Sequence, residues 1–273
     1  MTPIRPKFTN PPLIERAISV VFEPLENFSV GDYGLFWSEI QDEFPTSEAM
    51  APVPPVLESF EGFQPQQVGL QIVSADVLPR AAFRNATNGE LVQLQSDRFG
   101  FNWIKTGDDH KYPHSEATVE RFFELLGRFD AYVGRRRLGP IRIRQCELTN
   151  VNVVLVSDVG ESLADIATVL RLAPIEYDCP NIRLENQMIG SKHVIMSDDG
   201  RPIGRVHALG QPSLKVPSNE EAYRLDISAR GAPLSPDLAG VRQFFDAAVS
   251  AVNAVFLAST TNAGRRFWGE SNG

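Results

Sequence analysis

Residues 78–105 read LPRAAFRNATNGELVQLQSDRFGFNWIK, and the alternation within this stretch decides the fold class. At a period of two it gives three short strands, near residues 80–85, 91–95 and 101–105. Asn88 and Gly89 both tolerate positive φ and predict a two-residue hairpin turn. A second tight connection is expected around Asp97 to Gly100. Gln93 and Gln95 then share one face of the middle strand, while Val92 and Leu94 share the other. Arg80 and Arg84 project together from the first strand, with Asp97, Arg98 and Asn102 near the second connection. The apolar face is expected to pack on helices. The other face carries amide and guanidinium donors suited to a planar or anionic partner. The same residues also suit an ordinary solvated face, or a hairpin pinned by pairing Arg80 with Asp97.

Working outward, residues 1–13 contain four prolines and are expected to be extended. Residues 17–22 read as a strand. Asp32 is the expected cap of a helix carrying Leu35, Phe36, Trp37, Ile40 and Phe44, ended by Pro45. A proline-rich connector holds Pro52, Pro54 and Pro55, and residues 68–74 suggest a further strand. After the three strands, Ser115 is positioned to cap a helix with an apolar stripe of Val119, Phe122, Phe123, Leu126, Phe129 and Val133. The pattern then restarts. Residues 141–156 read as a long strand, and Asp158 with Glu161 as a capping box for a helix through Leu170. Strands are expected at 182–189, 192–196, 203–209 and 222–228, with Gly190-Ser191 and Asp198-Asp199-Gly200 as turns. Ser235-Pro236-Asp237 opens a last apolar helix through Val241, Phe244, Phe245, Val249, Val252 and Phe256.

Both halves therefore read strand, helix, four strands, helix, dividing the chain into residues 1–139 and 140–273. The expected class is α+β, a curved antiparallel sheet with helices on one face. This element order resembles the TATA-binding-protein type of fold, a fold that also hosts small-molecule binders.

With 42% hydrophobic and 22% charged residues, the chain has the composition of an ordinary globular protein. A net charge of −8 makes non-specific attraction to nucleic acid unexpected. No apolar run is expected to reach the roughly 18 residues of a membrane span. The first residues lack the apolar core of a signal peptide, and two cysteines, Cys146 and Cys179, make no disulfide framework. A cytoplasmic setting is the expectation.

His110 and His114 have helical metal-ligand spacing, but Pro113 intervenes and no third ligand stands near in sequence, so no metal or cofactor is expected. His193 and His207 read as sheet residues. Asp108-Asp109 and Asp198-Asp199 read as turn acids. No phosphate-loop, dinucleotide or nucleophile-elbow motif occurs, which leaves no catalytic residue to name. The dense cluster of Arg135, Arg136, Arg137, Arg142 and Arg144 reads as a solvated helix end and strand face, with a nucleic-acid contact as the alternative.

Phe8-x-Asn10-Pro11-Pro12, Leu78-Pro79-Arg80, Gln93-x-Gln95-x-Asp97-Arg98-Phe99-x-x-Asn102-Trp103, Tyr112-Pro113 and Trp268-Gly269 together resemble a sporadically distributed bacterial family of uncharacterised proteins. The resemblance runs nearly end to end. It implies an accessory protein of the kind found in mobile defence or toxin–antitoxin modules, and no specific activity. The expected function is a non-enzymatic binding or regulatory protein, antitoxin-like or accessory. Its binding face would comprise Arg80, Gln93, Gln95, Asp97, Arg98, Asn102 and Trp103. Two alternatives stay open. One is a small-ligand or nucleotide sensor using a cleft between the halves, lined by Trp37, Phe101 and Trp103. The other is a nucleic-acid-processing enzyme built on Asp97, Arg98 and a distant histidine. The expected partner is a protein or a small planar or anionic ligand, with a homodimer allowed.

Overall fold

A computed structural model describes residues 6–60, 78–107, 110–175 and 178–271. It is an α+β protein built on a nine-stranded antiparallel sheet with helices packed on its apolar face. In chain order, β1 (Lys7–Phe8) is followed by β2 (Leu13–Phe22), α1 (Val30–Ile40), β3 (Thr46–Met50), β4 (Arg80–Arg84), β5 (Glu90–Gln95), β6 (Arg98–Ile104) and α2 (His114–Arg136). Then come β7 (Ile143–Leu155), two 3-10 turns (Val156–Asp158 and Leu163–Thr168), β8 (Ile189–Met196), β9 (Pro202–Lys215), β10 (Glu220–Gly231), α3 (Leu238–Ser259), α4 (Asn262–Phe267) and β11 (Glu270–Ser271).

The sheet runs β3-β4-β5-β6-β2-β7-β10-β9-β8. β2 and β7, the strand that opens each half, therefore lie side by side at the centre. Later strands of each half extend outward in reverse chain order. β1 and β11 form a separate two-stranded ribbon, so the N-terminal arm is tied down from Lys7 onward.

Alternation builds the core. Val92 and Leu94 of β5, Phe99 and Phe101 of β6, Ile18 and Val20 of β2, and Leu225 and Ile227 of β10 all point to the helix side. Phe99 lies at the centre of an aromatic cluster, stacked on Phe129 of α2 at 5.1 Å and edge-on to Phe36 of α1 at 6.2 Å. Phe122 meets Phe245 at 5.4 Å, which joins α2 to α3 and makes one core beneath both halves. Each buried phenylalanine removes about 150–250 Å² from water, and edge-to-face pairs add about 0.5–1.5 kcal/mol.

Several sequence expectations are corrected. Ser29, not Asp32, caps α1; Asp32 is its third residue and accepts from the Ser29 N–H at 2.9 Å. α2 begins at His114, with Pro113 rather than Ser115 in the cap position. In α3 the cap is Asp237, whose carboxylate accepts from the Gly240 N–H at 2.9 Å. The first hairpin loop spans residues 85–89, because Asn85 caps it by accepting from the Glu90 N–H. Only Asn88 takes positive φ there, at 57°. Gly89 serves close approach instead: a Cβ would lie 2.5 Å from the His110 ring.

In the second half, residues 182–188 form no strand and Gly190-Ser191 lies inside β8, so that half contributes four strands to the sheet including β7. Ile182 is exposed, and among the described residues β8 is the sheet edge with nothing paired beyond it. The expected helix after β7 is two 3-10 turns. Ser162 and Asp165 form the capping box, and Gly160 packs directly on the Asp165 side chain. β3 is polar and exposed and carried no strand signal, whereas the strand expected at residues 68–74 lies outside the described residues. Asp108 and Asp109 lie outside them as well.

α3 also corrects the expectation about apolar runs. Its length and mean hydropathy of 1.2 would allow it to cross a membrane, although 44% of that window is buried inside the fold. Val241, Phe244, Phe245 and Val252 are fully covered, the signature of a core helix laid on a sheet.

Candidate functional site

The polar face of the sheet carries most of the residues singled out by sequence, and it uses them internally. Arg80 donates to Gln93 Oε1 at 2.6 Å, Gln93 donates to Asn102 Oδ1 at 2.8 Å, and Asn102 donates to Glu15 of β2. The ladder thus crosses four strands. Arg98 donates to Glu147 of β7 and to Ser19 Oγ at 3.2 Å. Glu147 also accepts from Gln145 Nε2 at 2.7 Å and lies 3.9 Å from Arg230 of β10. Ion pairs therefore link β6, β7 and β10 across the central seam, and the Ser19 hydroxyl ties β2 into the same network.

Arg80 does not pair with Asp97. Burial lowers the pKa of Arg80, reinforced by the neighbouring charge of Arg98, and its Nε has no partner among the described residues. Burial raises the Asp97 carboxyl, opposed by Arg98 and by the Gln95 amide at 3.2 Å. No histidine joins Asp97 among the described residues, so its surroundings offer no acid–base pair.

Over this face runs the proline-rich connector, residues 51–60. Gln95, 6% exposed, accepts from the Val53 N–H at 2.8 Å and donates to the Val53 carbonyl at 3.2 Å. Gln145, 2% exposed, accepts from the Glu58 N–H at 2.7 Å and donates to the Val56 carbonyl at 2.8 Å. Beyond them, the Glu58 carboxylate meets Arg205 at 2.9 Å and also His207, both on β9. Burial works to raise the Glu58 pKa, but hydrogen bonds from His207 and Arg205 outweigh it and hold the carboxyl below its usual range. Arg205 also lies over the Phe60 ring at 4.3 Å. The connector is thus a strap from edge strand β3 across to β9.

Gln95 is accordingly covered by the strap, and Asn102, bonded between Gln93 and Glu15, is buried as well. The strap contacts that cover Gln95 had no signal in the sequence. Period-two alternation tells which face a residue takes, but not what lies on top of it. The one available cue was three prolines within four residues, Pro52 to Pro55, which favour an extended chain.

Trp103 stands apart from the others. It lies on the helix side, 3% exposed, with its ring 5.1 Å from Tyr112 and 5.3 Å from His110. Phe101 is in the core, and Trp37 donates its indole N–H to the Phe44 carbonyl at 2.8 Å. The three aromatic residues expected to line one cleft do not gather.

Elsewhere, Arg135 forms two bonds with Glu39 at 2.7 and 2.6 Å, Arg136 lies 3.4 Å from Asp32, and Arg142 lies 3.3 Å from Glu23. Three of the five clustered arginines are therefore paired with carboxylates. Cys146 is fully buried on the core face, where desolvation pushes its thiol pKa well up and disfavours the thiolate. Among the described residues no group of three or more His, Cys, Asp or Glu is placed to hold a metal ion. No protein-family model and no curated protein matches the chain.

Proposed function

We propose that this is a non-enzymatic binding protein whose polar sheet face holds extended polypeptide, with residues 51–60 as the resident occupant. One observation carries the reading. Two buried glutamine amides each grip the strap's main chain through both an N–H and a carbonyl. Such contacts read the backbone rather than side chains, as strand addition does, and so accept many sequences. Prolines at 52, 54 and 55 favour an extended conformation and reduce the entropy lost on docking. Glu58, clamped by Arg205 and His207, supplies the one charged anchor.

The partner on this reading is an extended, proline-containing segment with an acidic residue near its end. An antitoxin-like or accessory role in a mobile defence module is the setting that the family resemblance suggests. Strand order mirrored about the β2–β7 seam supports a tandem architecture of the TATA-binding-protein type. The 3-10 turns that replace a helix in the second half weigh against it.

The test is fluorescence anisotropy with a labelled peptide copying residues 50–60. The tethered strap competes at an effective concentration of order millimolar, so the wild-type chain should bind weakly. Glu58→Ala frees the end of the strap and should bind the peptide at least about tenfold more tightly. Adding Gln95→Ala and Gln145→Ala should abolish that gain. If the Glu58→Ala protein ignores the peptide, or binds equally well a copy N-methylated at the Val53 and Glu58 positions, the reading fails.

A further inference from the structure

On the opposite side of the sheet, Arg16 of β2 is 1% exposed. It sits at the seam, donating from Nε to Asn150 Oδ1 of β7 at 2.9 Å. No carboxylate pairs with it among the described residues, and Nη1 has no hydrogen-bond partner. Desolvation lowers the pKa of this guanidinium, opposed only by the nearby Tyr112. A buried arginine without an anion is costly, because the charge loses its hydration and gains little in return. The indole Nε1 of Trp103, cross-strand from Arg16, is likewise buried and without a partner. Two cross-strand neighbours therefore each carry an unmet buried donor, one of them charged.

Tyr112 covers them. Its ring lies 5.2 Å from the guanidinium carbon and 5.1 Å from the Trp103 ring, and it faces an open cleft of about 230 Å³. Asn10, Trp103, His110, Lys111 and Tyr112 are among the residues lining that cleft. Trp103, His110 and Tyr112 give it flat rings, Pro11 and Leu13 add aliphatic surface, and Lys105 and Lys111 bring cationic donors to its lining. Small-molecule sites combine such apolar walls with a few convergent polar groups.

We propose that this cleft binds a small ligand carrying a planar body and an oxyanion, with the ring between Trp103, His110 and Tyr112 and the oxyanion on Arg16 Nη1 and Trp103 Nε1. A carboxylate and a phosphate share the required chemistry, since both present acceptor oxygens to a guanidinium edge and an indole N–H. Tyr112 must turn aside for the anion to reach Arg16. It belongs to the segment before α2, and among the described residues its side chain makes one hydrogen bond, from its hydroxyl to Ser115 Oγ at 3.2 Å, besides its ring contacts with Arg16, Trp103 and His114. The cleft is on the far side of the sheet from the strap, so this site does not depend on polypeptide binding at the other face.

Benzoate, phenyl phosphate and inorganic phosphate serve as probes on the full chain, read by the indole N–H signals of protein labelled at its three tryptophans. Trp103→Phe identifies the relevant signal. Benzoate or phenyl phosphate should move the Trp103 signal downfield and saturate below about 1 mM, and the better of the two names the anion. Inorganic phosphate, lacking the ring, should bind at least about tenfold more weakly. By calorimetry, Trp103→Phe should weaken binding about fivefold or more, and Arg16→Gln should abolish it. Should Arg16→Gln fail to fold, Trp103→Phe alone decides. Unchanged affinity in Trp103→Phe overturns the proposal, as does a Trp103 signal unmoved by 10 mM of either aromatic probe.

Discussion

Replacing Gln145 with leucine tests whether the strap is clamped to the sheet or merely rests on it. The substitution nearly preserves side-chain volume and removes three hydrogen bonds, one from the Glu58 N–H, one to the Val56 carbonyl and one to the Glu147 carboxylate. Two are neutral backbone bonds, each worth about 1 kcal/mol net, and the third involves a charge and is worth about 1.5–3 kcal/mol. Leucine regains part of this through its buried methyl groups. Glu147 keeps Arg98 and Ser19 as partners, so it is not left stranded. The expected net loss is about 2–4 kcal/mol. For a chain of this length that corresponds to a fall in Tm of roughly 5–10 °C. Urea denaturation gives the stability, and native digestion with a glutamate-specific protease reads the strap directly, since Glu58 is held by Arg205 and His207. Cleavage after Glu58 should accelerate at least tenfold in the variant. An unfolding free energy within about 0.5 kcal/mol of wild type, together with unchanged cleavage, would refute the clamp.

Acid should loosen the same contact. Because the Glu58 pKa is held below its ordinary 4.5, its contribution to stability is fully present above that value and is lost as pH falls through the lower folded value. The stability difference between wild type and Glu58→Gln should therefore shrink as pH is lowered from 6 to 3; a constant difference would show that the carboxylate charge is not what matters. Thiol titration of the native protein should find Cys179 reacting fast and Cys146 only on unfolding, given that one is exposed and the other buried. Two fast thiols would contradict the packing of β7 on the helices. Phe99→Ala should cost about 3–5 kcal/mol, as it empties the centre of the ring cluster that joins α1 and α2 to the sheet. A loss below 1 kcal/mol by denaturation would mean the cluster is looser than its geometry implies.

What the sequence disclosed follows from the range of each signal. Val92 and Leu94 alternate with Gln93 and Gln95 within one strand, so their faces were legible. The stripe of α2 was equally local. β3 was missed because Thr46–Met50 lies on an edge with exposed side chains and needs no apolar alternation. The helix expected after β7 became 3-10 turns anchored by a bridge between Leu170 and Thr260, a contact spanning ninety residues that no window could register. The site shows the same division. Arg80, Gln93 and Asn102 were found as a group since they share a face in neighbouring strands. Trp103 was grouped with them by proximity in sequence, although one residue of offset turns it to the other side of the sheet. Arg16 and Asn150 gave no signal, because nothing local marks an arginine that a distant strand will bury.

The seam has a practical consequence. Cutting the chain between α2 and β7 would strip one flank from β2, ten residues long, and one from β7, thirteen residues long. Each fragment alone would carry a raw edge ready to add a foreign strand. The N-terminal piece would also bring its own fastening, since residues 56–60 reach Gln145, Arg205 and His207 on the other piece. Co-produced fragments are thus built to find one another, which makes the chain a natural candidate for a two-piece reassembly reporter.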